Sequence, residues 1–127
     1  MDKDLWVKNI LDAVWVFSSE EFQQRSWIEG KGTEVSSFTE ADCQFFDDNL
    51  ADQLIDVEWH NIGITETQKN KLAAFRDALR EFNQLTKPFP KSHTDILGNS
   101  RWPEIRTLAK EALDSFKGSK WELPRPA

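Results

Sequence analysis

The pattern of large apolar residues between Thr65 and Leu85 most constrains how this chain can fold. Leucine and phenylalanine recur there at alternating spacings of three and four, at Leu72, Phe75, Leu79 and Phe82. This spacing places the four side chains on one side of an α-helix. The preceding Thr65-Glu66-Thr67-Gln68 is typical of a capping box, so we predict that a long helix begins there. The other face of this helix is expected to carry the basic residues Lys69, Lys71, Arg76 and Arg80.

Similar apolar stripes predict further helices along the chain. Their approximate ranges are 4–17, 19–29, 38–48, 50–56 and 101–117. Val57 and Trp59 alternate with polar residues, but no second strand signal could pair with them, so 57–64 is predicted to be an extended loop. Residues 86–99 contain Pro88-Phe89-Pro90 and are predicted to form a linker-like loop. The tail from about residue 118 is expected to be irregular.

Length and composition indicate one folded domain. The chain has 127 residues, of which 39% are hydrophobic and 30% are charged. These proportions are typical of a globular protein and not of a disordered one. We therefore predict an all-α fold, a compact bundle of five to six helices that forms a single domain over residues 1–127.

Three features of the sequence bear on location. No window of eighteen apolar residues exists, so no membrane-spanning helix is predicted. The N-terminal segment lacks a basic leader and a small-residue cleavage site, so it is not expected to be a signal peptide. Cys43 is the only cysteine and cannot form an internal disulfide. A reducing, cytoplasmic location fits these features best.

The negative charge of the chain is concentrated in one stretch. Nine acidic residues and no Lys or Arg lie between Gly32 and Gln68, whereas the rest of the chain has 13 acidic and 16 basic residues. Such a local negative field argues against direct nucleic-acid binding and favours a basic partner. The alternative is a solvated acidic surface that only keeps the protein soluble. Helix capping can explain Asp48 and Asp52 but not Asp47, Asp56 or Glu58.

No constellation of catalytic or metal-binding residues is evident. His60 and His93 lack metal-ligand spacing to Cys43, and a packed or idle thiol is the better interpretation of Cys43. No glycine-rich phosphate loop is present. We therefore predict no catalytic residues, no metal site and no cofactor. Asp42 falls on the apolar side of its helix, where a buried unpaired carboxylate would be costly, so we expect a partner such as an Arg or a place at the rim of the core.

Residues 22–48, FQQRSWIEGKGTEVSSFTEADCQFFDD, resemble small immunity proteins of bacterial contact-dependent growth inhibition and related polymorphic toxin systems. The residues that carry the resemblance are Gln23 or Gln24, Trp27, Gly32, Ser36, Ser37, Phe38, Glu40, Phe46, Asp47 and Asp48. The resemblance implies a protein that is not an enzyme. It implies that the chain binds a C-terminal toxin domain, often a nuclease, and blocks its active site or another essential surface.

Charge and resemblance together predict a cytoplasmic immunity protein that neutralises a basic toxin domain in a stoichiometric complex. The expected toxin-binding residues are Glu34, Glu40, Asp47, Asp52, Asp56 and Glu58, with Trp59 as an aromatic anchor. Two alternatives stay open at this point. One is a helical adaptor whose acidic surface serves only solvation, and the other is a small metal-dependent hydrolase that uses a carboxylate pair.

Overall fold

The computed structural model describes residues 2–29, 37–85 and 92–122. Within these ranges the chain forms seven helices and no strand, so the all-α prediction is confirmed, with one or two more helices than the sequence predicted. In chain order they are α1 (Lys3–Ser18), α2 (Glu20–Gln23, continued by π-helical Gln24–Ile28), α3 (Phe38–Cys43, continued by π-helical Gln44–Asp48), α4 (Ala51–Gln53, π-helical Leu54–Glu58, then Trp59–Ile62), α5 (Glu66–Leu85), α6 (His93–Leu97) and α7 (Trp102–Asp114). None of the described helices is both long and apolar enough to cross a membrane.

Side-chain caps explain where several helices begin. Thr65 and Gln68 form a reciprocal capping box at the start of α5. The Thr65 hydroxyl accepts from the Gln68 amide at 3.1 Å, and the Gln68 side-chain oxygen accepts from the Thr65 amide at 2.9 Å. At the start of α3, the Ser37 hydroxyl accepts from the Glu40 amide at 3.0 Å. These bonds satisfy amides that a helix leaves unpaired in its first turn.

Three of the helices contain a π-helical segment, which the sequence pattern did not predict. In two of them a hydrogen bond from the amide of residue i to the carbonyl of residue i−5 closes the last turn. The Glu29 amide donates to the Gln24 carbonyl and the Asn49 amide donates to the Gln44 carbonyl, each at 3.0 Å. The third lies in the middle of α4 and carries Asp56 and Glu58. A π turn holds more residues than an α turn, so it shifts which side chains face inward.

The predicted extended loop over 57–64 is wrong, because α4 continues through it to Ile62. Leu54 and Ile55 are fully buried, and Trp59 and Ile62 are half-buried on the same inward side. Val57 points outward within the π segment. The apparent alternation of apolar and polar residues is therefore one turn of a widened helix and not an extended strand.

Aromatic residues from five helices meet in the centre of the bundle. Trp102 of α7 is fully buried, and its ring lies 5.3 Å from Phe82 and 5.8 Å from Phe38, measured between ring centres. Phe17 of α1 lies 6.2 Å from Trp102 and 5.5 Å from Phe75. Edge-on and tilted contacts of this kind add to the stabilisation that burial gives.

A buried glutamine ties three helices together beside these rings. The Gln23 side-chain nitrogen donates to the carbonyl oxygens of Val16 and Phe17 at 2.9 and 2.8 Å. Its side-chain oxygen accepts from the Trp102 indole at 3.0 Å. Gln23 thus completes the hydrogen bonding at the C-terminal end of α1 and fixes the position of α7.

The linker-like loop predicted over 86–99 is wrong in its second half, since residues 93–97 form α6, and residues 86–91 lie outside the described part of the chain. Ser92 caps α6 by accepting from the Asp95 amide at 3.1 Å. His93 stacks on Trp27 with ring centres 5.7 Å apart. Its Nε2 also accepts from the Phe38 amide at 3.3 Å, so α6 is held against α2 and α3.

Candidate protein-binding surface

The residues predicted to bind a toxin lie on α3 and α4, apart from Glu34, which is outside the described residues. On α3, Glu40, Asp47 and Asp48 are exposed to solvent. Glu40 lies in the first turn, where the helix dipole favours an anion. Asp47 and Asp48 lie at the opposite end, where the dipole disfavours one. Helix stability therefore does not explain the aspartate pair at the end of α3. The expectation that capping explains Asp48 is wrong, because Leu50 is the N-cap of α4 and no side chain caps it.

The carboxylates of α3 act on the exposed thiol of Cys43. Desolvation raises the pKa of Cys43, and the charges of Asp47, Asp42 and Asp48 and a hydrogen bond to Asp47 raise it further. The thiol is thus held in its protonated form at neutral pH, which is the opposite of what a nucleophilic cysteine needs. The same effect shows that the negative field at this end of α3 reaches the neighbouring side chains.

Asp42 finds a neutral partner and not the Arg suggested by the sequence. Its Oδ1 accepts from the Asn83 side-chain nitrogen on α5 at 2.7 Å. Burial raises the pKa of Asp42, the bond from Asn83 opposes that rise, and the charge of Asp47 adds to it. Asp42 therefore lies at the rim of the core, which is the second position that the sequence analysis predicted for it.

Two acidic residues of α4 are engaged within the molecule. The Arg76 guanidinium of α5 donates from Nη1 to Asp56 at 2.8 Å and to Asp52 at 3.1 Å, and from Nε to Asp77 at 2.9 Å. The outer oxygen of Asp52 also accepts from Arg80 at 2.5 Å. Asp52 and Asp56 thus hold α4 against α5, although about half of each side chain stays exposed.

The expectation that Arg76 faces away from the core is wrong, because the residue is buried between α4 and α5. Burial by itself would lower the pKa of Arg76, but the hydrogen bonds that it donates to Asp56 and Asp77, together with the charges of these carboxylates, outweigh this effect and raise the pKa. The guanidinium is therefore a permanent cation that neutralises part of the acidic stretch. Arg80 instead lies over the Phe46 ring at 5.2 Å, outside the buried network.

Glu58 and Trp59 are less exposed than expected for residues that contact a partner. Glu58 is half-buried, and its Oε2 is buried with no hydrogen-bond partner among the described residues. Trp59 is also half-buried and packs against the core from within α4, not from a loop. Lys69 lies 5.9 Å from the centre of its ring, so a cation already covers part of the indole.

Three features of this surface were missed by sequence reasoning. The buried arginine could have been found from the Asp52 and Asp56 spacing of four, which places both carboxylates on one side of a helix. Two exposed apolar residues on α4, Leu50 and Val57, were also missed. The sequence offered only two signals of this exposure. One is a Leu directly before the start of a helix, and the other is a Val among polar residues.

Most residues behind the resemblance to immunity proteins have structural roles. Gln23, Trp27 and Phe38 are buried, and Ser37 caps α3. Of the matching residues in the described ranges, Gln24, Glu40, Asp47 and Asp48 are exposed. Comparison with family models, with curated proteins and with solved structures found no match to this chain. Within the described ranges, no group of three or more His, Cys, Asp or Glu side chains is arranged to hold a metal ion.

Proposed function

We propose that this chain is an immunity protein that binds a basic toxin domain, in particular a nuclease, and neutralises it through the acidic surface of α3 and α4. The observation that carries the proposal is the exposed group Glu40, Asp47 and Asp48 on α3. It lies in a stretch of the chain, from Gly32 to Gln68, that has no Lys or Arg. This group is called the α3 acidic group below.

The electrostatics of such a surface suit a nuclease as partner. A nuclease needs a positively charged cleft to hold phosphates. Acidic side chains on a rigid helix complement that cleft and speed association by steering the partner before contact. The side chains of the α3 acidic group are exposed to solvent and so accessible for this role. Asp52 and Asp56 share their charge with Arg76.

The proposal is tested with the purified domain encoded by the gene next to that of this chain. Glu40→Gln, Asp47→Asn and Asp48→Asn are combined in one variant, and binding rates are measured by surface plasmon resonance at two salt concentrations. We expect association to slow by about tenfold or more, and the association rate of the unmutated chain to fall as salt rises. A nuclease assay on the same mixtures shows whether binding blocks activity.

A matched variant removes three charges from α7, with Glu104→Gln, Glu111→Gln and Asp114→Asn. It changes the net charge equally and leaves α3 and α4 untouched. The proposal fails if both triple variants slow association to the same extent, or if the neighbouring domain does not bind at all.

The surface plasmon resonance measurement also tests the adaptor alternative, and a calorimetric measurement tests the hydrolase alternative. Binding without dependence on salt or on the α3 acidic group would favour an adaptor whose charge serves only solvation. Calorimetric binding of Mg²⁺ or Mn²⁺, abolished by removing a carboxylate pair, would favour a metal-dependent hydrolase.

A further inference from the structure

Two apolar side chains on the outward side of α4 are about half exposed to solvent. Leu50, the residue before the first turn, is 48% exposed, and Val57, two turns further on, is 55% exposed. Gln53 lies between them in the chain and is exposed as well. Burial of apolar surface is the main gain from placing Leu or Val in a fold, and each of these residues obtains only about half of it.

Leu50 is also unfavourable for the backbone. Its φ is +49° and its ψ is 54°, in the left-handed region, and it is the only described residue other than glycine with a positive φ. Gly enters this region readily, and Asn does so more easily than a branched apolar residue. A Gly or Asn at position 50 would relieve the strain and remove the exposed apolar surface together. The fold alone therefore gives no reason for a Leu here.

Val57 is unfavourable for a similar reason. It lies in the π-helical part of α4, and a β-branched side chain loses rotamer freedom in a helix. An exposed helical position is better filled by Ala, Gln or Lys.

Acidic residues lie near these two apolar side chains in the chain, although Asp52 and Asp56 share part of their charge with Arg76. Asp47 and Asp48 precede Leu50, and the half-exposed carboxylates of Asp52 and Asp56 lie on α4 between Leu50 and Val57 or directly beside them. A second copy of this chain would bring like charges together and is disfavoured. A partner with an apolar pocket inside a basic surface would meet complementary charge and bury both side chains.

We infer that the outward side of α4 is the apolar centre of a docking surface for a basic protein, with Leu50 and Val57 as its anchors and the carboxylates as its rim. This inference rests on the proposed function and refines it, because it moves the centre of the contact from Trp59 to Leu50 and Val57. Interfaces commonly combine an apolar centre, which slows dissociation, with a charged rim, which governs association.

The test uses the full chain and the purified domain encoded by the neighbouring gene. Leu50→Asn and Val57→Gln are prepared singly, and Leu5→Gln and Leu85→Gln, at positions that are 53% and 59% exposed elsewhere, serve as controls. We expect Leu50→Asn and Val57→Gln to stay folded, with thermal midpoints equal to or above that of the unmutated chain. Each should speed dissociation by about tenfold or more, with little change in the association rate. The controls should change neither rate.

Each outcome separates the two proposals. If the α3 triple variant slows association but Leu50→Asn and Val57→Gln dissociate normally, the inference is wrong and the proposed function stands. If Leu50→Asn and Val57→Gln speed dissociation while the α3 charges have no effect, the docking side of α4 stands and the electrostatic part of the proposed function is wrong. If the unmutated chain does not bind the domain, both are overturned. Leu50→Gly, which keeps access to the left-handed backbone, repeats the test should Leu50→Asn unfold.

Discussion

Arg76 and Asp56 are joined by a hydrogen-bonded ion pair of 2.8 Å that links α5 to α4. The arginine side chain is only 9% exposed, whereas that of Asp56 is 53% exposed. One carboxylate therefore has two tasks, since its inner oxygen compensates a buried cation and its outer part contributes to the acidic surface. Removing charges from α4 would thus disturb the fold as well as any contact with a partner, which is why the α3 acidic group is the cleaner test of binding.

Replacing the buried arginine should destabilise the fold. Arg76→Met removes the cation that three carboxylates share, so Asp56 and Asp77 lose this partner and Asp52 keeps only Arg80. We expect the free energy of unfolding to fall by about 2–4 kcal/mol, somewhat less than for a fully buried ion pair, because the carboxylates left behind are about half exposed or more. Urea denaturation followed by circular dichroism measures it.

Arg101→Met is the matched control for Arg76→Met. Arg101 pairs with Glu81 at 2.6 Å, but both side chains are more than half exposed. A surface pair of this kind contributes less than about 1 kcal/mol. Equal losses in the two variants would show that the Arg76 network is no more important than an ordinary surface ion pair.

Replacing the buried Gln23 should destabilise the fold more than replacing most other polar residues. Gln23→Leu leaves the Trp102 indole and the carbonyls of Val16 and Phe17 without their partner. Unpaired buried polar groups cost about 1–3 kcal/mol each, so we expect a loss of at least about 2 kcal/mol. Gln24→Leu, at the exposed neighbouring position, should change stability by less than about 0.5 kcal/mol. A Gln23→Leu protein as stable as Gln24→Leu would contradict the assignment of this network.

Truncating the apolar stripe of α5 should have the usual effect of a core cavity. Phe75 and Leu79 are fully buried. Phe75→Ala and Leu79→Ala should therefore each destabilise by roughly 2–5 kcal/mol. Asp47→Asn should change stability by less than about 1 kcal/mol, because the carboxylate is exposed at an unfavourable helix end. A larger loss for Asp47→Asn in urea denaturation would give Asp47 a structural role and weaken the proposed binding surface.

The helices with regular stripes and caps were predictable from sequence because local rules determine them. The 3-4 spacing of Leu72, Phe75, Leu79 and Phe82 places all four in the core, and the Thr65–Gln68 capping box forms as the pattern predicts. Both signals depend only on residues within a few turns of one another. The folded structure keeps these helices because tertiary contacts stabilise the same local conformation.

The candidate surface was less predictable because its geometry depends on contacts between helices. Arg76 has the sequence context of a solvent-facing residue, and only the approach of α4 buries it. The π segment that turns Val57 outward has no local signature comparable with a cap. Glu58 and Trp59 were assigned to a partner because the helix that draws them toward the core was not recognised. Sequence located the acidic stretch, but packing decides which of its carboxylates remain accessible.

The rim position of Asp42 predicts a pH-dependent stability. Burial raises its pKa above the usual value of 3.8 in the folded chain. The folded state therefore holds this proton more tightly than the unfolded state does. The stabilisation from this tighter proton binding is fully present below pH 3.8 and is lost as pH rises through the raised pKa of Asp42. The ionised carboxylate therefore destabilises the fold at neutral pH.

Asp42→Asn should remove this penalty without breaking the contact to α5. Asparagine cannot ionise, and its side-chain oxygen can still accept the hydrogen bond from Asn83. We expect Asp42→Asn to be more stable than the unmutated chain at pH 7. The gain should be less than about 1 kcal/mol because the site is only partly buried. The free energies of unfolding of the two proteins should become equal near pH 3. Asn83→Ala, which removes the donor, should destabilise more at pH 7 than at pH 3, because the ionised carboxylate then loses its partner. Urea denaturation at the two pH values measures both differences, and an Asp42→Asn protein that is less stable at pH 7 would show that the ionised carboxylate is favourable where it lies.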